Sequence, residues 1–237
     1  MSLSLVFVGG IADSGKSKLI ELVTNQLTDI TALRVSDSLR VALDAAKKNP
    51  KPELGPEVTF IDWKHYEDAA LRDLVSRLKI IINGNTKTKT VIVNTHFATY
   101  SPGGFMVGLD PASIAVICKT CQLTDGADSP GKAAVVLVDL GIADVLHRRE
   151  ERWTEKADGF PRGSALVQDL EFNRMYALQY HGVLTSLIQA RALYKRIHVD
   201  YTSKHDLGPL EEDLKKAAFK FATFLTESGF SGEEYTL

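Results

Sequence analysis

The chain has 237 residues, 44% of them hydrophobic, which is enough to bury a full core and suits one large domain better than two ordinary ones. A net charge of -2 and a pI near 6.3 exclude the broad basic field of a protein that coats nucleic acid, so any affinity for phosphate has to be local. Two cysteines, no apolar run near the ~18 residues of a membrane span and no basic segment ahead of a long apolar N-terminal stretch predict a soluble, cytoplasmic protein with no membrane partner.

Leu5-Val6-Phe7-Val8 predicts a buried strand. It runs into Gly10-Ile11-Ala12-Asp13-Ser14-Gly15-Lys16-Ser17, a complete G-x-x-x-x-G-K-[ST] phosphate loop. The glycines let backbone N–H groups wrap a phosphate, and the helix starting near Gly15 aims its positive end at the same anion. Lys16 is placed to reach the β and γ oxygens of ATP as a catalytic charge, and Ser17 offers its hydroxyl to Mg²⁺.

Leu19, Ile20, Val23 and Leu27 recur at helical spacing after the loop. Thr31 to Val35 predicts a second strand, followed by a helix capped by Ser36 or Asp37 and stopped by Asn49-Pro50-Lys51-Pro52. After a Pro/Gly loop, Tyr66, Ala70, Leu74, Leu78 and Ile81 form another amphipathic stripe that ends at Asn83-Gly84. Residues 37–83 thus read as a helical insert in a single domain spanning 1–237.

Val91-Ile92-Val93 predicts a buried strand ending in Asn94-Thr95-His96, polar residues at the strand end where open α/β sheets bind ligands. His96 is either a ligand for an acceptor's phosphate or base, or a hydrogen-bonded structural residue. Tyr100 to Asp110, with four glycines or prolines in its first nine residues, predicts a loop. Pro111 to Leu123 predicts a helix carrying Cys118 and Cys121. Zinc would need two more ligands, and a redox pair belongs at a helix start, so these read as unreactive helical thiols.

A strand at Ala133 to Val138 precedes a helix starting near Gly141. Between them and the long helix of Leu166 to Ala190 lies His147 to Gly163, HRREERWTEKADGFPRG, with five basic and four acidic residues. Composition alone reads this as a solvated helix end and loop. Phosphoryl transfer, however, uses guanidinium forks to neutralise transferred charge. That makes Arg148, Arg149, Arg152 and Arg162 candidates for a cover over about 147–165, with Arg148, Arg152 and Arg162 the catalytic candidates. His181, in an apolar helix, reads as core; a strand from Ala192 to Val199 and a helix from Leu210 to Leu225 close the chain. Five strands alternating with helices predict an α/β P-loop NTPase fold, a five-stranded parallel sheet with helices on both faces.

The order of the phosphate loop, Val91-Ile-Val-Asn-Thr-His96, the loop Ser101-Pro-Gly-Gly-Phe-Met-Val-Gly-Leu109, Arg148-Arg149, Asn173-Arg174 and Tyr180-His-Gly-Val-Leu184 resembles archaeal-type adenylate kinases over residues 3–200. The resemblance implies a kinase that moves the γ-phosphate of ATP, with Mg²⁺, to a nucleoside monophosphate, typically AMP. It also implies a homo-oligomer, since many members are trimers. In that family the strand after the insert ends in Asp-Thr-His, where this chain has Asn94. Another carboxylate, Asp139 or Asp13, then substitutes, or the metal is held more loosely. The family's Arg-Lys-Leu run is replaced by Ile61-Asp-Trp-Lys-His-Tyr66, leaving Arg40 to contact the acceptor. Arg174 is either a surface residue or a phosphate contact. The string Asp158-Gly-Phe-Pro-Arg162, which other adenylate kinases carry at a core strand's end, here follows a charged run and is assigned to the cover. The competing functions are a nucleotide-dependent ATPase or switch without small-molecule transfer, and a kinase of another small alcohol. No [NT]-K-x-D guanine-reading motif is found.

Overall fold

The computed structural model describes residues 3–11, 14–48, 60–84, 87–101, 104–124, 131–144, 164–199 and 210–233. Five strands, β1 (Ser4–Gly9), β2 (Ile30–Arg34), β3 (Thr90–Asn94), β6 (Ala133–Leu140) and β7 (Ala192–Val199), form one parallel sheet in the order β2-β3-β1-β6-β7. The remaining two, β4 (Ala98–Ser101) and β5 (Gly104–Val107), pair antiparallel as a separate hairpin. The helices are α1 (Lys16–Thr24), α2 (Val35–Lys48), α3 (Phe60–Asn83), α4 (Pro111–Thr120), α5 (Ser164–Ile188) and α6 (Leu210–Glu227).

Strand side chains alternate between two cores. Val6, Val8, Ile92, Val136 and Ile197 pack with α1 and α6, whereas Leu5, Phe7, Val91, Val93, Val135 and Leu137 pack with α3, α4 and α5. Burial on both faces is why β1, β3 and β6 are unbroken apolar runs rather than alternating ones. β6 runs two residues further than its sequence pattern suggests, bringing Asp139 into the sheet with 2% exposure. α2 starts at Val35, directly after β2, so the expected caps Ser36 and Asp37 lie inside its first turn.

The stretch from Tyr100, expected to be a loop, is instead half of the β4–β5 hairpin, with Ala98 opposite Val107 and Ser101 opposite Gly104. Pro102 and Gly103, between the two strands, lie outside the described residues. What holds the hairpin comes from far along the chain. Asn173 on α5 pairs with Ala98 as a strand would: Ala98 N donates to Asn173 Oδ1 at 3.2 Å and Asn173 Nδ2 donates to Ala98 O at 3.1 Å. Leu109 N donates to the buried Tyr180 hydroxyl, and the Tyr180 ring stands edge-on to Phe97 with centroids 4.9 Å apart. His181 is half-buried, its ring 5.8 Å from that of Tyr194 on β7.

At the opposite edge of the sheet the C-terminal segment closes the fold. Gly229 adopts φ 70°, the left-handed conformation that ends a helix, and Phe230 N returns to Leu225 O at 2.7 Å. Phe230 is thereby inserted into the α1–α6 core with 1% exposure. Buried Asp29 then accepts from Ser231 Oγ at 2.6 Å and from Gly232 N at 2.9 Å. Among the described residues no helix is long and apolar enough to cross a membrane. Replacing Phe230 with Ala removes this plug from a site with no solvent access, and urea unfolding should show a loss of about 3–5 kcal/mol.

Candidate active site

β1 lies between β3 and β6, so its C-terminal end opens in the middle of the sheet edge. Two glycines carry the chain out. A Cβ on Gly9 would sit 2.6 Å from the Phe97 ring, and one on Gly10 would sit 2.4 Å from Val138 O. Gly15, at φ 79°, caps α1, which begins at Lys16 and points its unpaired N–H groups back over the loop. Ser14 is fully buried and its Oγ has no partner among the described residues. A buried hydroxyl without a partner, beside a helix N-terminus, is chemistry that a phosphate oxygen would satisfy. Gly10, Ile11, Ser14, Gly15, Lys16 and Ser17 lie together at this strand end and helix start; Ala12 and Asp13 lie outside the described residues.

Lys16 is 6% exposed, with Nζ 3.3 Å from both ring nitrogens of His96. His96 Nδ1 lies 3.0 Å from Gly10 O. A carbonyl only accepts, so Nδ1 carries the hydrogen and Nε2 turns its lone pair to the Lys16 ammonium. Burial foremost, then the Lys16 charge, hold the His96 pKa down at about 3 against the Gly10 hydrogen bond. The ring is neutral at pH 7. The contacts as they stand hold the lysine and the loop in place.

Asn94 ends β3 with 6% exposure, and its Nδ2 donates to Ser17 Oγ at 3.2 Å. Asp139 does not replace the missing acid. Its carboxylate takes Arg174 through Nε at 3.3 Å and Nη2 at 3.1 Å, and Arg196 through Nε at 2.6 Å and also through Nη2. Two guanidinium groups occupy both of its oxygens. Asp13, the other candidate substitute, lies outside the described residues. Arg174 also binds Glu171 at 2.5 Å, so it is held among acids at the sheet edge rather than standing alone on the surface. No sequence signal pointed to Arg196; its register opposite Leu137, two residues from Asp139, became readable only once β6 and β7 were paired.

Gly108 lies against the end of β3, where a Cβ would fall 1.7 Å from His96 O. Beyond it a narrow cleft lies between α2, α3 and the start of α4. Val35, Leu39, Leu71, Leu74 and Leu109 make its walls apolar, and Glu67 and Ser113 add polar groups. Arg40, the next residue after Leu39, is exposed and 3.9 Å from Asp37. Arg148, Arg152 and Arg162 lie outside the described residues, as does the whole of 145–163.

Cys118 and Cys121 are free and buried, and burial pushes each thiol up to about 12, in keeping with unreactive thiols. No group of three His, Cys, Asp or Glu side chains among the described residues is arranged to hold a metal.

No protein-family model and no curated protein sequence matches the chain. Solved structures do. The thymidylate kinase from Candida albicans aligns with a TM-score of 0.52 at 9% identity, over 97% of this chain and 93% of that one. A sugar kinase from Janibacter sp. HTCC2649 aligns at 0.46 and 13% identity over 98% and 99% of the two chains. The shikimate kinase from Bacteroides thetaiotaomicron aligns at 0.43 and 11% over 94% and 98%. Together with the parallel sheet and the loop geometry, the likeness above 0.5 establishes a P-loop kinase-like fold, a broader group than the archaeal adenylate kinases that the sequence resembles.

His96 gives this site a pH signature. Its folded pKa is near 3 and its ordinary value is 6.5, so between these the unfolded chain binds the extra proton. The stability contributed by the neutral ring is complete above pH 6.5 and is lost on acidification toward pH 3, at up to ~1.4 kcal/mol per unit. Urea unfolding at pH 7 and pH 5 should show the parent losing more stability than His96→Gln; equal losses would mean that the ring stays accessible to protons.

Proposed function

We propose that the protein is an ATP-dependent phosphotransferase that moves the γ-phosphate of Mg-ATP to a nucleoside monophosphate, AMP foremost. One observation carries this reading. The His96 ring stands beside the Lys16 ammonium of the phosphate loop, and the His96 carbonyl oxygen lies against Gly108, which lines the apolar cleft. A donor seat and an apolar cleft linked through the backbone of one residue suit two nucleotides meeting phosphate to phosphate.

In the transfer an acceptor oxygen attacks Pγ, the bond from Pγ to the β–γ bridging oxygen breaks, and ADP leaves with the bridging electrons. The loop N–H groups and Lys16 hold the triphosphate, and the neutral His96 keeps Lys16 aimed into the loop. A divalent ion, bound beside Ser17 with Asn94 as a neutral neighbour, would neutralise charge on the β and γ oxygens. Arg148, Arg152 and Arg162 are assigned to a cover that excludes water, Arg40 to the acceptor phosphate at the cleft, and Arg174 to a phosphate once it leaves Glu171.

Acceptor chemistry favours a phosphate over an alcohol. An alcohol must lose a proton, which kinases of hydroxyl groups hand to a carboxylate, whereas a phosphate monoester at pH 7 presents an oxygen already deprotonated. At the end of β3 this chain offers an amide, and the lone pair of His96 is turned to Lys16. The same amide favours the second reading, a nucleotide-dependent switch with no small acceptor.

Incubation with Mg-ATP and a panel of AMP, GMP, CMP, UMP, deoxynucleotides, nucleosides and sugars should yield a nucleoside diphosphate, with Lys16→Ala slowing transfer at least ~100-fold. ATP binding with no transfer to any acceptor would sink the kinase reading and favour the switch. Leu39→Trp, which narrows the cleft, should raise the acceptor KM roughly tenfold while the ATP KM stays constant. An equal rise in both would place the acceptor elsewhere.

A further inference from the structure

We infer that Asn94 uncouples nucleotide affinity from the divalent ion, so that the loop binds ATP nearly as tightly without Mg²⁺ as with it. The inference rests on the reading of the loop as an ATP seat. Transfer keeps its metal requirement under this inference; affinity does not.

The position is defined by the fold. Asn94 is the last residue of β3, in register with Val8 on the strand that feeds the loop, and its amide reaches Ser17 at 3.2 Å. Phosphate-loop NTPases generally hold their ion between the loop Ser/Thr and an acid on a neighbouring strand. An acid there acts in two ways: it attracts the cation, and when the cation is absent it repels the phosphates across a few ångströms of poorly screened space. Asn94 does neither, because an amide has no charge.

Ser17 is affected as well. A hydroxyl has one hydrogen to donate and two lone pairs. Asn94 Nδ2 takes one lone pair of Ser17 Oγ, which turns the hydroxyl hydrogen away from Asn94 and toward the loop, where a phosphate oxygen accepts it directly. Asp139, the residue after Val138, adds no uncompensated negative charge: Arg174 and Arg196 bind it, and with Glu171, which Arg174 also holds, the four side chains balance in charge. Lys16, 6% exposed, stands beside the neutral ring of His96.

The test is equilibrium binding of a fluorescent ATP analogue to the full chain, in Mg²⁺ and in EDTA, for the parent, Asn94→Asp and Asn94→Ala. The parent Kd should change by less than about threefold between the two conditions. Asn94→Asp should bind at least about tenfold more weakly in EDTA and recover in Mg²⁺. Asn94→Ala, which loses the hydrogen bond but gains no charge, should remain as indifferent to the metal as the parent. A parent that loses tenfold or more in EDTA overturns the inference while leaving the ATP seat intact. So does an Asn94→Asp variant that binds the analogue in Mg²⁺ yet is no more metal-dependent than the parent. Failure of the parent to bind the analogue in either condition overturns the ATP seat itself and the inference with it.

Discussion

Everything at the active edge follows from the placement of β1 between β3 and β6. A parallel strand hydrogen-bonded on both sides cannot leave sideways, so the chain has to emerge at the C-terminal edge and turn between the ends of its neighbours. Gly9 and Gly10 make that exit possible because Phe97 and Val138 O approach too closely for a Cβ. The same constraint delivers Asn94 and His96 from one neighbour and Asp139 from the other to the rim of the loop.

Charge at this edge is arranged locally, as it must be in a chain whose net charge is -2. Lys16 is buried against a histidine that burial foremost keeps uncharged. Asp139, on the strand to the other side of β1 from Asn94, is paired with two arginines from α5 and β7. In a poorly solvated rim, an acid so paired is structural, and its pairing positions Arg174 and Arg196 rather than a metal.

Much of the fold was legible because two-sided burial writes itself as continuous apolar runs and helices write a 3.6-residue stripe. β3, β6 and β7 lie within two residues of where the pattern put them, and α5 and α6 nearly so. The hairpin at Ala98–Val107 was not, since its stability comes from the Asn173 amide and the Tyr180 hydroxyl, more than seventy residues away. Short segments rich in Pro and Gly carry the local signature of a loop in sequence, and only a distant partner distinguishes a strand from a loop there. The C-terminal plug was invisible for a similar reason: Phe230 and Ser231 make sense only beside Asp29 and Leu225.

The sequence by itself determined the phosphate loop, because Gly, Lys and Ser at fixed spacing after an apolar strand act through local backbone geometry. It also identified Asn94 as an amide where an acid is expected, a matter of residue identity alone. Only the tertiary structure decided what these residues face. It gave His96 its neutral state, paired Asp139 with two arginines, and set the cleft of Leu39, Leu71 and Leu109 beside Gly108. Protonation, ion pairing and enclosure depend on distance and burial, quantities that arise when segments far apart in the chain meet at one sheet edge.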